Sequence, residues 1–179
     1  KITCAEFVPA ILKGYLSFLM KKNKKTTNLR LLICGSDIWP IEEYRKAKKI
    51  FGHETRVINS YGLTEATIDS TYFENNNEYD NYSSNDMTPI GKPFPHVSIY
   101  VLNEKHNHVG TNEVGEIYIG GKGISAGYIN QPNLTKDRFI TLSKIDNKSV
   151  LFKTGDFGKK LPDGNIIILA GKNNILSWA

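Results

Sequence analysis

Cysteine is nearly absent: the 179-residue chain holds two, Cys4 and Cys34. They lie far apart, in apolar segments and outside any Cys-x-x-Cys spacing, which argues against a disulfide scaffold or a zinc knuckle and fits a reducing cytoplasm. Also missing is the run of roughly 20 apolar residues that a membrane helix needs. The nearest candidate, Phe7 to Met20, is interrupted by Pro9 and Lys13 and is followed rather than preceded by its basic cluster, so it reads as a core helix and not as a signal or a span. No arginine-rich stripe stands out; the net charge of +5 sits mostly on scattered lysines and gives no reason to expect a nucleic-acid partner. The four histidines, His53, His96, His106 and His108, lack His-Glu-x-x-His spacing. No Ser-x-x-Lys occurs, which disqualifies Lys153-Thr154-Gly155 as a box of the penicillin-binding serine enzymes. Lys1 stands where a start would have Met, and the apolar run Ile175-Leu176-Ser177-Trp178 leads straight to Ala179, so both ends read as cut.

What is present is the composition of a chain that folds: 40% hydrophobic and 23% charged, far from the disordered corner. Apolar residues at helical spacing predict a helix over Pro9 to Met20, with the proline tolerated in its first turn. The polar linker Lys21 to Asn28 carries the lysine cluster, which without interleaved aromatics reads as a solvated linker. Leu29 to Cys34 is almost wholly apolar and closes at Gly35-Ser36-Asp37, the pattern of a buried parallel strand entering a loop. A second helix, Ile41 to Phe51, ends at Gly52, and Thr55 to Asn59 predicts another strand, so residues 1 to 60 repeat a helix-strand unit of α/β layering. Asn75 to Thr88, rich in Asn, Asp and Ser, predicts an exposed connection and the boundary between two textures. Beyond it, short β-branched runs over Val97 to Leu102, Glu116 to Ile119, Val150 to Lys153 and Asn165 to Leu169 predict a small β-rich subdomain.

Four segments bear on chemistry. The stretch Gly120 to Tyr128 has neither dinucleotide spacing nor a Gly-Lys-Ser/Thr ending, so its glycines read as tight bends rather than a phosphate loop. Asn59-Ser60-Tyr61-Gly62-Leu63-Thr64-Glu65-Ala66-Thr67 leaves a buried strand and offers an amide, an aromatic face, a hydroxyl and a carboxylate at a strand's end, where α/β folds place ligands. Lys153-Thr154-Gly155-Asp156 ends another strand with a carboxylate at a turn, and Gly115 to Gly121 leads into the glycine stretch.

The order of these segments, with Pro89-Ile90-Gly91-Lys92-Pro93, Asn130-Gln131-Pro132, Phe139, Asp163-Gly164 and Gly171, resembles the adenylate-forming enzymes, most closely the adenylation domains of nonribosomal peptide synthetases. The resemblance implies part of their N-terminal domain, an α/β sheet layer over residues 1–88 and a distorted β-barrel subdomain over 89–170, with 171–179 starting the hinge to a C-terminal lid. It implies activation of an amino acid with ATP and Mg²⁺ to an aminoacyl-adenylate, followed by loading of a phosphopantetheinyl carrier protein or domain. An acyl-CoA ligase or stand-alone amino-acid ligase of the same superfamily, and an inactive nucleotide-binding module, remain as alternatives.

By that resemblance Tyr61 stacks on adenine, Gly35, Ser36 and Asp37 line the base, and Asn59 offers its amide to the purine edge. Thr64 contacts the α-phosphate, Glu65 holds Mg²⁺, and Asp156 binds the ribose hydroxyls. Lys172 stands where the family has a ribose-contacting arginine, and Asn174 in place of the hinge aspartate. Lysine lacks the bidentate fork of arginine. Glu6, Leu32, Cys34, Ser60, Ile68 and Asp69 match positions that line the amino-acid pocket. The two carboxylates in that set point to a basic substrate such as ornithine, because a buried carboxylate seeks a cation.

Overall fold

The computed structural model describes residues 2–23, 28–75 and 82–171. Lys172, Asn174 and the rest of the proposed hinge lie outside the described residues, as do Lys24 and Lys25 of the basic cluster.

The first strand, β1 (Cys4–Phe7), runs into helix α1 (Pro9–Lys21), which returns the chain to β2 (Leu31–Gly35); α2 (Ile41–Phe51) then leads to β3 (Arg56–Tyr61). β1, β2 and β3 are parallel neighbours, as helical crossovers require. α1 begins at Pro9, whose missing N–H costs nothing in the first turn. Its Leu12, Leu16 and Leu19 recur at helical spacing and are fully buried. They share one core with Tyr44, Ala47 and Phe51 of α2 and with Leu32, Cys34 and Val57 of the strands. β1 was not anticipated as a strand, since alternation over four residues that include an exposed Glu6 is a weak signal.

β3 continues through a single 3-10 turn at Thr64–Ala66 to β4 (Thr71–Phe73), which pairs antiparallel with β3; the two-residue β5 (Lys92–Pro93) pairs with β4 and completes the sheet. Asp69 is therefore on the loop between β3 and β4. The chain is still turning there: Thr67 and Ile68 have left-handed φ of 60° and 67°, and the strand pairing resumes only after Ser70 N–H closes the loop on Tyr61 O at 2.8 Å.

The connection expected to be exposed up to Thr88 is docked at its end. Met87 bridges to Pro40, Thr88 N–H donates to Trp39 O at 2.7 Å, and Thr88 is buried. The second sheet is antiparallel, in the order β10 (Ile166–Gly171), β9 (Asp146–Lys160), β7 (Val114–Gly121), β6 (Val97–Leu102), with β8 (Phe139–Leu142) paired to β9. Between β7 and β8 lies a short helix, α3 (Pro132–Arg138). The two sheets meet where Ile90 N–H donates to Ile166 O at 2.8 Å and Ile166 N–H donates to Gly91 O at 3.0 Å.

Candidate nucleotide site

The loops that leave the carboxyl ends of β2 and β3 face β9 and β10 across a cavity of about 230 Å³. Its wall takes Ser36, Asp37, Asn59, Ser60, Tyr61 and Asp156 from the expected set. β2 passes so close to β3 that a Cβ on Gly35 would lie 2.5 Å from Ser60 Oγ and 2.8 Å from Ser60 O, so Gly35 backs the cavity as a close-approach residue. Ser36 turns the chain with a left-handed φ of 67°, and Asp37 Oδ1 accepts from Ile38 N–H at 2.7 Å.

Alternation along β3 puts Val57, Asn59 and Tyr61 on one side. Val57 is core, whereas Asn59 and Tyr61 lie beyond the helices and border the cavity. The Asn59 amide is already committed: Nδ2 donates to Pro89 O at 2.8 Å, and what stays buried without a partner among the described residues is Oδ1. Asn59 therefore presents an acceptor rather than the donor expected. Two more buried atoms without partners belong to wall residues, Trp39 Nε1 and Thr88 Oγ1. A buried polar atom left unbonded costs about 1–3 kcal/mol, so the wall has a use for a polar guest. The volume is below the roughly 300–1,000 Å³ of sites for drug-sized ligands and suits a base rather than a whole nucleotide.

Tyr61 donates its hydroxyl to Asp156 Oδ2 at 2.8 Å, joining the two sheets at the cavity. Burial, then the charge of Asp156 and this bond, push the Tyr61 hydroxyl far up, so it stays a donor. Burial also raises the Asp156 carboxyl, against the opposing hydrogen bond from Tyr61 and the charge of Arg138. The strand does not end in a turn at Lys153 as expected: Thr154 to Asp156 lie inside β9 at a register shift against β7, where Thr154 Oγ1 donates to Ile117 O at 2.7 Å and accepts from Asp156 N–H at 3.0 Å.

Thr64 and Glu65 lie on the 3-10 turn just past the wall residues Gly62 and Leu63, and are not part of the wall itself. A Cβ on Gly62 would sit 1.7 Å from Ile68 O, so the loop folds back on a glycine that nothing else can replace. A residue set fit for Mg²⁺ need not be large, because that ion takes one or two carboxylates and completes its shell with water and phosphate oxygens. Glu65 supplies one such carboxylate. Among the described residues no cluster of three or more His, Cys, Asp or Glu is placed to hold a metal unaided.

A sequence model of the AMP-binding enzyme family matches residues 1–129. The chain belongs to this family. Among similar proteins, bacitracin synthase 2 of Bacillus licheniformis is 38% identical over 164 residues, covering 92% of this chain and 6% of its own length. Tyrocidine synthase 3 of Brevibacillus parabrevis is 37% identical over 175 residues, 97% of this chain and 3% of that synthase. The chain thus spans a small part of the relatives it matches. The fold is that of the Klebsiella oxytoca NpsA N-terminal subdomain, solved in complex with 3-hydroxybenzoyl-AMSN, with a TM-score of 0.80 at 21% identity over 94% of this chain and 40% of that one. NpsA-ThdA, an artificially fused adenylation-PCP di-domain from the same organism, gives 0.83 at 23% identity, over 96% of this chain and 33% of the fusion.

The amino-acid pocket set is not brought together within the chain. Register pairs Ala5 with Leu32 and Phe7 with Cys34, but Glu6 with Ile33, so Glu6 lies on the opposite face of the sheet from Leu32 and Cys34. Leu32 and Cys34 are fully buried in the helix-covered core. Ile68 is exposed, Asp69 half-buried and Glu6 exposed, and only Ser60 borders the cavity. Sequence reading also missed wall residues. Trp39, Met87, Thr88 and Ile168 line the cavity although none sits in a segment assigned a role. The available signal was Pro89 to Pro93, quoted as a motif without a task, whose neighbours Met87 and Thr88 turn out to border the site.

Proposed function

We propose that the protein carrying this chain is an ATP-dependent ligase of the nonribosomal peptide synthetase kind. It joins an amino-acid carboxylate to the α-phosphorus of ATP, releasing pyrophosphate, and passes the aminoacyl group to a carrier-protein thiol, releasing AMP. The observation that carries this reading is the Tyr61–Asp156 hydrogen bond, which sets an aromatic ring and a carboxylate from two sheets, 95 positions apart, against one cavity at the ends of parallel strands.

In this reading Tyr61 stacks on adenine and Gly35, Ser36 and Asp37 border it. Asn59 Oδ1 accepts from the adenine amine and Asp156 accepts from both ribose hydroxyls; Lys172, outside the described residues, takes the place of the family's ribose-contacting arginine. Thr64 donates to the α-phosphate and Glu65 holds Mg²⁺. The bound cation neutralises phosphate charge as it builds up during attack. The matching division of the chain is residues 1–88 as the α/β part, 89–170 as the β-rich subdomain and 171–179 as the beginning of a hinge.

The substrate proposed is a basic amino acid, ornithine ahead of lysine. Asp69 supports it: half-buried and, among the described residues, without an ion-pair partner, it is open to a side-chain ammonium, whereas the exposed Glu6 lends no such support. Of the expected pocket set only Ser60 borders the cavity; Leu32 and Cys34 belong to the core on the face opposite Glu6, and Ile68 is exposed. The test is ATP–pyrophosphate exchange by the whole protein across amino, fatty and aryl acids. Exchange led by ornithine and lysine is expected. A lead by aliphatic or aromatic amino acids rejects the substrate, a lead by fatty or aryl acids favours an acyl-CoA ligase, and no exchange with any acid rejects the activity.

A further inference from the structure

The glycine-rich stretch after β7 is docked on the turn that carries Glu65. Ser125 N–H donates to Glu65 O at 2.8 Å, Thr67 Oγ1 donates to Gly123 O at 2.6 Å, and Tyr128 donates its hydroxyl to Glu65 Oε1 at 2.5 Å. A Cβ on Gly123 would lie 3.0 Å from Ala66 O, so the two backbones are in contact there. None of these contacts is needed to complete a sheet or a helix. They converge on one carboxylate.

Tyr128 is itself held from three sides. Its backbone N–H donates to Thr135 Oγ1 at 2.9 Å on α3, and the chain reaches that position through Gly127, whose φ of +124° is closed to other residues. A Cβ at Gly127 would also lie 2.3 Å from Thr135 Cγ2. The Tyr128 ring meets Phe139 of β8 edge-on at 5.5 Å, and Phe139 packs on Phe152 of β9 at 5.0 Å.

We infer that Tyr128 is a positioning residue for Glu65: a fixed phenol holds Oε1 and leaves Oε2, which has no partner among the described residues, as the oxygen offered to a divalent cation. The inference rests on the reading of Glu65 as the Mg²⁺ ligand. Ligand carboxylates are commonly oriented by hydrogen bonds from behind, and loss of such a partner weakens metal binding about 10- to 100-fold. The stretch from Gly120 to Tyr128 is then a bracket for the metal ligand, with Gly121 and Gly123 placed where two backbones come into contact.

The test compares binding of Mn²⁺·ATP with binding of ATP in EDTA, by calorimetry on the whole protein, for Tyr128→Phe, Glu65→Gln and the double variant. Phenylalanine keeps the ring contacts and removes only the hydroxyl. Tyr128→Phe is expected to weaken Mn²⁺·ATP binding about tenfold or more, leave metal-free ATP binding unchanged, and raise the Mg²⁺ concentration for half-maximal exchange. The double variant should bind Mn²⁺·ATP no worse than Glu65→Gln alone, since both changes act through one carboxylate. If Glu65→Gln weakens Mn²⁺·ATP binding and Tyr128→Phe does not, the inference fails while the Glu65 reading stands. If Tyr128→Phe weakens metal-free ATP equally, Tyr128 serves the fold and the inference fails. If Glu65→Gln has no effect on Mn²⁺·ATP, the Glu65 reading fails and takes the inference with it.

Discussion

At the scale of single residues, Asp156 sets stability against binding. Burial holds its carboxyl above the ordinary 3.8, so the folded chain binds that proton more tightly than the unfolded chain does. Its contribution to stability is therefore fully present below about 3.8 and is lost as pH rises through the folded value. At neutral pH the ionised group costs stability. Asp156→Asn keeps an acceptor for the Tyr61 hydroxyl and removes the charge. It is expected to raise the melting temperature at pH 7, with a gap from wild type that narrows toward pH 4, while ATP binding weakens. A lower melting temperature at pH 7 would contradict the burial argument. The cysteines give a second contrast. Cys34 is fully buried, and burial, then the charge of Glu43, push its thiol up to about 12, whereas Cys4 is exposed. A thiol reagent at pH 8 is expected to modify one cysteine, Cys4, in the native chain and both after denaturation; two fast-reacting thiols in the native chain would refute this.

At the scale of elements, helices were read best. α2 coincides with its expected span and α1 exceeds it by one residue, because apolar periodicity and the flanking Pro9 and Gly52 act locally. Among the strands, β6 coincides with its expected span, β2 is one residue shorter than expected, and β7 and β9 are longer. β9 extends over fifteen residues where only Val150 to Lys153 had the apolar signature, since its length comes from pairing in turn with β8, β7 and β10. β4 and β5 carried no usable pattern; they are strands because β3 offers an edge. Glycines at the element joints allow a direct measurement. Gly91 and Gly52 have almost equal φ, +83° and +79°, but a Cβ on Gly91 would lie 1.8 Å from Tyr72 O and one on Gly52 meets nothing within 4 Å. Gly52→Ala is expected to cost about 1–3 kcal/mol, the strain of a backbone conformation (φ +79°, ψ 179°) that essentially only glycine adopts. Gly91→Ala should cost about 2–4 kcal/mol, because strand pairing must open to admit the methyl group. Urea unfolding of the two variants side by side separates the terms, and equal losses would show that the close approach at Gly91 is readily relieved.

At the scale of the whole molecule, the site exists only where two sheets meet. The chain covers 40% of the solved NpsA subdomain that shares its fold, and its cavity has room for a base. The 179 residues expressed alone are therefore expected to form no adenylate, since losing even one preorganised donor to transition-state charge costs about 10²- to 10³-fold. Exchange activity from the chain free of longer protein would overturn this. The sequence by itself determined the alternation of helices and strands up to Tyr61, the change to β-rich texture, and the order of segments by which the family is known, because periodicity, turn residues and motif order are properties of neighbours along the chain. The tertiary structure alone decided that Tyr61 meets Asp156, that Thr88 and Trp39 border the cavity, and that Tyr128 holds Glu65. It also decided that Glu6 faces away from Leu32 and Cys34. These are matters of register and of sheet-to-sheet approach: one residue of slip between β1 and β2 would turn every side chain of β1 to the other face, and no local pattern of four residues encodes which register is taken.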